Sequence, residues 1–563
     1  MSSNMIKFDE DKQNQRIREL RIQEEEQSAQ LFADRYGTLY IDLTRVPINT
    51  DALRLIPEPE GRENKIAVFD IVGRKISVAI HSPTDEKTQQ SIKTLENKGY
   101  VPTLFMTSTL SLEKAWDRYK DLSFAFETEA GSLDISSDDI EKLIEKTHKI
   151  PDVVTLLTEA MQIKKSHRTS QLLAIMMAGA LATKASDLHI EPEETHARLR
   201  YRLDGVLIET VQFDLDTYNL LLSRLKLLSG LKLNVKENAQ DGRFTVKIYT
   251  SDIEIRTSTI PGSYGESVVM RVLNPSSISV GIEDLGMPKK LYNMIQAEIN
   301  RPSGMILTTG PTGSGKTTTL YAFLRKVTNT ETKIITIEDP VEYHLPGVVQ
   351  TQVEEKKGYT FESGLRSAMR QDPDIIMVGE IRDGETANTA IQASLTGHLV
   401  FSTLHTNSAA GTFTRLVDLG ADPKVLTSAI HVSLAQRLVR VICKKCGKKV
   451  PLPENRFKLV DEVLASLVGM EEAAEFPTRP TEITQAVGCD ACNGTGYKGR
   501  LGVFEAIFSD PSIEQIIREN PSEREIKEVA KKQGIVDMKQ DGVLKVLRGI
   551  TTFEELERVV DLV

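Results

Sequence analysis

No other feature limits the possible folds of this chain as tightly as eight consecutive residues, Gly310-Pro311-Thr312-Gly313-Ser314-Gly315-Lys316-Thr317. They match the pattern G-x-x-x-x-G-K-[ST] of a phosphate-binding loop. Its glycines let backbone N–H groups point at phosphate oxygens, and the following helix adds its positive end. An apolar run precedes the loop and a helical pattern follows it, as this motif requires. We therefore predict a nucleotide site here that includes Thr318. Lys316 would reach the β- and γ-phosphates, and the Thr317 hydroxyl would bind Mg²⁺.

Acidic residues follow two further apolar runs, at 334–337 and 375–378. In a parallel α/β sheet, ligands bind outside the carboxyl ends of the strands. Hydrolysis of ATP needs a carboxylate that orients water and a site that holds a magnesium ion. We predict that Glu338 or Glu342 orients the water. Glu380 would bind Mg²⁺ or polarise the water, and the residues do not decide between these roles.

Two histidines, His398 and His405, flank a third apolar run. A histidine in such a place is often a structural residue with satisfied hydrogen bonds. The alternative is that both histidines transmit the state of the γ-phosphate to a neighbouring subunit. The spacing does not choose between these interpretations.

The four cysteines of the chain form two C-x-x-C pairs, Cys443 with Cys446 and Cys489 with Cys492. Each pair can bind one metal ion from a tight turn, and four thiolates complete a tetrahedral zinc site. A redox role is disfavoured because there are two pairs and no thioredoxin-like pattern. We predict a structural zinc site, since four protein ligands leave no position for chemistry.

Composition narrows the functional class. Hydrophobic residues make up 40% of the chain and charged residues 27%, as in globular proteins, and the net charge is -10. This acidic balance, with no basic tract, argues against nucleic acid as a partner. The longest apolar run, 172–182, is too short to span a bilayer, and no signal-peptide pattern starts the chain. We therefore expect a cytoplasmic protein.

The order of apolar and turn-forming segments predicts several domains, as the length requires. Alternating β and α segments from about residue 289 predict a parallel sheet covered by helices. Residues 10–35 favour a solvated helix. We divide the chain into an N-terminal α/β domain at 1–125, a linker at 126–168, a second α/β domain at 169–285, a phosphate-loop domain at 286–442, a cysteine-bearing segment at 443–499 and a helical region at 500–563.

Four segments in this order resemble the motifs of type II/type IV secretion ATPases. The loop at 310–317 resembles their Walker A motif, residues 338–342 their Asp box, residues 370–383 their Walker B motif, and residues 396–407 their His box. This resemblance implies a hexamer in which a PAS-like domain precedes a RecA-like ATPase domain. The fold expected is thus α/β, with a small N-terminal domain in front and a tetracysteine zinc insert behind.

The resemblance also implies roles for four arginines. Arg256 and Arg271 look like the arginines with which the PAS-like domain reaches the nucleotide, and Arg366 and Arg370 look like sensor arginines of the RecA-like domain. A guanidinium suits this task because it stabilises charge on the transferred phosphoryl group. One departure concerns Gly379, which occupies the position of the usual Walker B aspartate, so Glu380 is the acid at that strand end.

Family likeness further implies ATP, Mg²⁺ and zinc as cofactors, and a place at the cytoplasmic face of the inner membrane. The implied partners are a polytopic platform protein of that membrane and proteins that recruit the ATPase. The tetracysteine insert and long N-terminal domain favour pilus assembly over pilus retraction. Type II secretion uses the same kind of ATPase and remains the alternative. A nucleic-acid motor and a cyclic di-GMP sensor are disfavoured, the latter because Arg35-Tyr36-Gly37 is a poor match to the Arg-Leu-Gly-type repeat.

Overall fold

A computed structural model describes residues 24–44, 46, 48–53, 55–72, 74–120, 137–162, 165–248, 251–274 and 280–562. The chain divides into two compact units. The first holds residues 1–128 with 164–168, and the second holds the remainder.

The first unit contains a four-stranded sheet in the order β1-β4-β3-β2. The strands β3 and β4 are parallel, and β2 and β3 form an antiparallel pair. Its described elements are α1 (residues 24–36), β1 (Leu39–Tyr40), α2 (Thr50–Leu53), α3 (Glu58–Glu63), β2 (Ile66–Val72), β3 (Lys75–Ile80), α4 (Glu86–Asn97), β4 (Val101–Met106) and α5 (Thr109–Asp117).

Helix α1 is more than the solvated helix that the sequence favours. Ala33 is buried, and the Glu26 carboxylate accepts hydrogen bonds from the Tyr40 hydroxyl at 2.6 Å and the Ser111 hydroxyl at 2.8 Å. Small residues and one acid dock this helix, while its large apolar residues Leu31 and Phe32 are exposed. Residues 10–23 lie outside the described part of the chain.

The second unit begins with two helices, most of a third, and a six-stranded antiparallel sheet in the order β7-β6-β5-β10-β9-β8. Successive side chains of a strand point to opposite faces of the sheet. In β6 the buried residues Ala197, Leu199, Tyr201 and Leu203 therefore share one face, which packs in the core. The elements are α6 (Ser137–Lys146), α7 (Ile150–Met161), α8 (Lys165–Ala182), β5 (Asp187–Pro192), β6 (His196–Leu203), β7 (Val206–Asp214), α9 (Leu215–Leu228), β8 (Gln240–Ile248), β9 (Ser251–Gly262) and β10 (Gly265–Leu273).

Two of these helices, α6 and α7, fall inside the segment that the sequence analysis treats as a linker. Val153 and Leu157 of α7 are fully buried in the core of the antiparallel sheet. Pro151 lies in the first turn of α7, and the backbone N–H of Lys149 donates to the Asp152 carboxylate at 3.1 Å. These helix-start features override the polar composition. Residues 126–136 and 163–164 of the segment lie outside the described part.

The phosphate-loop domain contains a seven-stranded sheet in the order β13-β12-β14-β15-β11-β16-β19. All neighbouring strands are parallel except β16 and β19, and β11, β12, β14 and β15 are buried along their whole length. This is the parallel central sheet that the sequence predicts. Before the cysteines its elements are α10 (Lys289–Glu298), β11 (Gly304–Thr309), α11 (Lys316–Val327), β12 (Ile334–Glu338), β13 (Val348–Gln352), α12 (Phe361–Met369), β14 (Ile375–Val378), α13 (Gly384–Leu395), β15 (Leu399–Leu404), α14 (Ala409–Asp418), α15 (Pro423–Ala429) and β16 (Ile430–Ile442).

The chain beyond the first cysteine pair returns to this sheet. The region predicted as helical from residue 500 in fact starts with β19, which pairs with β16 from Val432↔Phe508 to Ile442↔Tyr497. The helices begin only at Pro511. The elements after the first cysteine pair are β17 (Lys448–Pro451), α16 (Phe457–Ser466), β18 (Glu482–Gln485), β19 (Tyr497–Phe508), α17 (Pro511–Arg518), α18 (Glu523–Ala530), α19 (Met538–Leu547) and α20 (Phe553–Glu557).

Candidate functional site

The phosphate-binding loop joins the carboxyl end of β11 to the first residue of α11. Gly313 and Gly315 take positive φ angles of 77° and 93°. Such angles favour glycine because a Cβ atom would be strained there. The strand, loop and helix thus follow in the order that the motif requires, and α11 directs its positive end toward the loop.

Strand β16 packs against the phosphate-binding loop. The Gln436 side-chain amide donates to the Ser314 carbonyl at 2.7 Å. A Cβ added to Gly310 would lie 2.6 Å from the Gln436 carbonyl oxygen, and one on Gly315 would lie 2.9 Å from the Gln436 amide nitrogen. The two outer glycines are therefore required by close packing on β16.

Lys316 is almost fully buried, and its ammonium group donates to the carbonyls of Gly310 at 2.7 Å and Pro311 at 3.2 Å. Burial lowers the pKa of Lys316 to about 8, an effect that the Glu380 carboxylate opposes and the Arg437 guanidinium strengthens. This cation is held by neutral carbonyls. An anion at the loop would give it a stronger partner.

Glu380 follows β14, on the same sheet edge as the loop. One carboxylate oxygen pairs with the Arg382 guanidinium, and the other lies 3.1 Å from His405 Nε2. Arg382 also pairs with Asp339 at 3.2 Å. The structure therefore brings together the strand-end acid, His405 and the acidic segment that follows β12.

The two acids of that segment differ sharply in their surroundings. Glu338 is buried and accepts hydrogen bonds from the Tyr321 and Thr336 hydroxyls, at 2.5 Å and 2.6 Å, and from the Gln350 amide at 3.0 Å. Its carboxylate is engaged on both oxygens in this arrangement. Glu342 is partly exposed and lies 3.5 Å from Arg256, so it is the more accessible of the two.

Arg256 and Arg271 are directly opposite each other on β9 and β10. Arg256 extends to the phosphate-loop domain, where it donates to the Val341 carbonyl at 2.7 Å and pairs with Glu342. Arg271 is 57% exposed and donates to Asp187 at 3.3 Å. Of these two arginines, Arg256 alone contacts the acidic segment within one chain.

Three predicted nucleotide contacts lie away from the loop of their own chain: His398, Arg366 and Arg370. His398 precedes β15, and its backbone carbonyl accepts from the N–H of Gly304 at the start of β11. The loop begins after the end of β11, roughly 17 Å further along the strand. The His398 ring instead lies 3.0 Å from the Ala393 carbonyl, so it caps the end of α13.

The two arginines sit on the same remote side. Arg366 is in the last turn of α12 and pairs with Glu362, and Arg370 ends that helix and donates to the Arg366 carbonyl. Contact of these arginines or of His398 with a neighbouring subunit's nucleotide stays a prediction.

The sequence analysis missed Arg382, Gln436 and Arg437. Arg382 was visible as a basic residue two positions after Glu380. Gln436 and Arg437 carry no local pattern, because they reach the loop only through the parallel pairing of β16 with β11.

The four cysteines converge as predicted. All four Sγ atoms lie within 4.8 Å of one another, and the separations are 3.9 Å for Cys443 to Cys489, 3.8 Å for Cys446 to Cys492 and 3.8 Å for Cys489 to Cys492. A tetrahedron with zinc–sulfur bonds of about 2.3 Å has edges of about 3.8 Å. The arrangement therefore fits one tetrahedral metal ion.

Backbone N–H groups surround the cysteine sulfurs. The N–H groups of Cys489 and Gly496 each donate to the Cys492 sulfur at 3.2 Å. Although burial acts in the opposite direction, these two donors, together with the Cys489 and Cys446 thiols, lower the pKa of Cys492 to about 7. A thiolate, the form that binds metal, is favoured there.

The cysteine cluster also contacts the antiparallel-sheet domain. Asn493 accepts from the backbone N–H of Ile150 at 2.9 Å, and Asp490 pairs with Lys149 at 3.1 Å. The N–H of Gly499 donates to Asp204 at 2.8 Å. The cysteine turn is thus fastened to the start of α7 and to the turn between β6 and β7.

No helix in the described part of the chain is both long enough and apolar enough to cross a membrane.

Comparison with known proteins matches this arrangement to a family. Residues 162–558 match the family described as Type II/IV secretion system protein, and residues 36–125 match the MshEN domain. The chain is 43% identical to Type II secretion system protein E of Pectobacterium carotovorum over 69% of this chain and 75% of that protein.

Two relatives match along almost the whole length. The Type IV pilus assembly ATPase PilB of Myxococcus xanthus is 34% identical over 95% of this chain and 91% of that protein. The PilB of Pseudomonas aeruginosa is 35% identical over 94% and 90%. This chain belongs to the type II/IV secretion system protein family and is an ATPase of that family.

Proposed function

We propose that this chain hydrolyses ATP to power type IV pilus assembly, as a homohexamer at the cytoplasmic face of the inner membrane. The observation that favours pilus assembly is the extent of the match. Similarity to the two pilus assembly ATPases covers 94–95% of the chain, including the N-terminal domain, whereas that to the type II protein of Pectobacterium covers 69%. The proposal includes a polytopic membrane platform protein and recruiting proteins as partners. It keeps the domain division given above, except that α6 and α7 belong to the antiparallel-sheet domain and β19 to the sheet of the phosphate-loop domain.

The loop would bind the triphosphate through backbone N–H groups of residues 310–317 and the Lys316 ammonium. A phosphate would take over the ammonium from the two carbonyls that it now contacts. Thr317, exposed at the start of α11, and Glu380 would hold a magnesium ion, which neutralises charge on the phosphate oxygens when bound.

Glu380 would also orient the attacking water. Arg382 and His405 hold its two oxygens, so the direction of the carboxylate is fixed by neighbours on both sides. Glu342 is the second candidate because it is accessible, and its contact with Arg256 links it to the antiparallel-sheet domain. The buried Glu338 would then support the strand end through its three hydrogen bonds.

Zinc is the metal that we propose for the cysteine cluster. Four sulfurs at tetrahedral spacing suit zinc, and the four protein ligands leave no open position. The site would therefore be structural.

A steady-state assay of phosphate release tests the enzymatic part. Lys316→Ala and Glu380→Ala should each lower turnover at least about tenfold, because one removes a charge on the phosphates and the other the strand-end carboxylate. Lys326→Ala, at the exposed end of the same helix, should keep wild-type turnover. Unchanged turnover in both site variants would reject the assignment.

The alternative function is assembly of a type II secretion pseudopilus, which the 43% identity to a type II protein favours. Deletion of the gene in its own host, with return of the wild-type or Lys316→Ala gene, separates the two. Loss of surface pili that only the wild-type gene restores supports pilus assembly. Normal piliation with loss of protein secretion would establish the alternative.

A further inference from the structure

Strand β16 carries an arginine to the edge of the phosphate-binding loop. Thr309, the last residue of β11, is level with Ala435, so Gln436 and Arg437 continue past the end of β11 alongside the loop. A Cβ added to Gly310 would lie 3.1 Å from Arg437 Nη1. The guanidinium therefore touches the first glycine of the loop.

The partners of Arg437 are neutral. Its Nη1 donates to the Gln436 carbonyl at 3.0 Å, and its Nη2 donates to the Asn407 carbonyl at 2.9 Å. Among the residues that the structure describes, no carboxylate lies within 4 Å of this guanidinium. These two contacts hold it across the end of β11, between β16 and the segment after β15.

Two cations thus meet at Gly310. Lys316 donates to the Gly310 carbonyl, and Arg437 lies against the same residue. Both are at least half buried and both are held by carbonyls. Like charges that are removed from water destabilise each other unless an anion joins them. The Glu380 carboxylate offsets this at Lys316 and the Glu505 carboxylate at Arg437, but both carboxylates are hydrogen-bonded to other groups. The pair is therefore arranged for a ligand that carries more than one negative charge.

The position of Lys316 shows which part of that ligand meets Arg437. The lysine of this motif reaches the β- and γ-phosphates. Its ammonium lies beside Gly310 and Pro311, so the terminal phosphates belong at that end of the loop. A diphosphate would leave the outermost position there without a phosphate.

We propose that Arg437 is a catalytic residue that binds the terminal phosphate of ATP from within the same chain. The inference rests on the proposed ATP site and adds a charge that the sequence motifs do not contain. Because Arg437 belongs to the strand beneath the loop, it is present at the site whatever the position of a neighbouring subunit. It would stabilise the charge that spreads over the phosphoryl group during transfer.

The test uses the full chain and compares Arg437→Gln with Arg437→Lys. Fluorescent ADP and a fluorescent non-hydrolysable ATP analogue are titrated, and phosphate release is measured. Arg437→Gln should weaken analogue binding and lower kcat by about tenfold or more, with ADP affinity changed less than about threefold. Arg437→Lys should recover part of both losses. Arg518→Gln, on the exposed face of α17, is the matched control and should behave as wild type.

Two outcomes overturn the proposal. Analogue binding and turnover within about twofold of wild type would show that Arg437 does not touch the phosphate. Equal weakening of ADP and analogue would show that it only supports the loop. Wild type and Lys316→Ala are measured in parallel: if they release phosphate equally, the ATP site itself is wrong. If they differ but Arg437→Gln equals wild type, only this inference fails.

Discussion

Among single residues of the site, Lys316 and Glu380 are held in different ways. Lys316 is a buried ammonium bound to two carbonyls, whereas Glu380 is fixed between Arg382 and His405. A cation held this way loses little when a phosphate replaces the carbonyls, so the loop is prepared for a polyphosphate before it binds one.

The lowered pKa of Lys316 predicts a pH dependence of nucleotide binding. With a pKa of about 8, the lysine of the free protein is charged below pH 8 and neutral above it. Phosphate binds the charged form, so binding above pH 8 requires uptake of a proton. ADP affinity without Mg²⁺ should be nearly constant from pH 6.5 to 7.5 and fall toward about tenfold per pH unit at higher pH. Titration at constant ionic strength measures this, and a flat profile to pH 9.5 would contradict it.

The glycine in place of an aspartate predicts a steric effect. A Cβ on Gly379 would lie 3.2 Å from the Ile337 carbonyl oxygen and 3.4 Å from the Glu338 Cα. Gly379→Ala should therefore push β14 from β12, destabilise the domain by about 1 kcal/mol and lower turnover. Thermal unfolding and phosphate release test this, with Val349→Ala on an exposed edge as control. A variant with wild-type stability and turnover would show that the strands have room for a side chain.

At the scale of elements, β16 connects two sites. Its residues Gln436 and Arg437 lie beneath the phosphate-binding loop, and Cys443 follows its last residue. Asp490, inside the second cysteine pair, and Asn493, directly after it, contact the start of α7 through an ion pair and a hydrogen bond. One strand thus joins the loop, the cysteine cluster and the antiparallel-sheet domain.

Removal of the proposed zinc ion should loosen this connection. Without an ion, four thiols at 3.8–3.9 Å have no common ligand, so the turn that carries Asn493 loses its support. Chelation or Cys492→Ser should speed hydrogen exchange in α7 near Ile150 and Val153. Asn493→Ala should do the same at the start of α7 while metal content stays at one ion per chain. Exchange rates unchanged by chelation would show that α7 docks independently of the cluster.

Local patterns predicted much of this architecture. The sequence identifies the loop, the buried strands around it and the cysteine cluster, because glycine spacing, apolar runs and C-x-x-C pairs are local. The strand β19 was missed, since its pairing with β16 depends on a partner far away in sequence. Arg437 was missed for the same reason. The place of His398 could not be predicted, because flanking a strand does not say which end of the sheet a residue occupies.

At the scale of the whole molecule, Arg256 connects the antiparallel sheet to the acidic segment of the phosphate-loop domain. It donates to the Val341 carbonyl and pairs with Glu342, while its neighbour Arg271 is largely exposed. The exposed guanidinium is available to another subunit. This difference favours a division in which Arg256 acts within a chain and Arg271 acts across the proposed ring.

Mixing of variants tests that division. Lys316→Ala and Arg271→Gln chains should each be nearly inactive alone. If Arg271 contacts the nucleotide of the neighbouring subunit, rings that contain both variants should regain part of the activity. Some sites in these rings combine an intact loop from one chain with an intact Arg271 from its neighbour. A mixture of Lys316→Ala and Arg256→Gln should regain none. Phosphate release from mixtures measures this, and no recovery with Arg271→Gln would place that arginine in its own chain's site or outside catalysis.

We propose that residues 310–317 bind the triphosphate of ATP with help from Lys316 and Arg437. A structure of the full chain with a non-hydrolysable ATP analogue and Mg²⁺ would test this binding site. The terminal phosphate should lie within hydrogen-bond distance of both side chains, with Glu380 beside it. An analogue bound elsewhere on the chain, with the loop free of phosphate, would show that the proposed site is wrong.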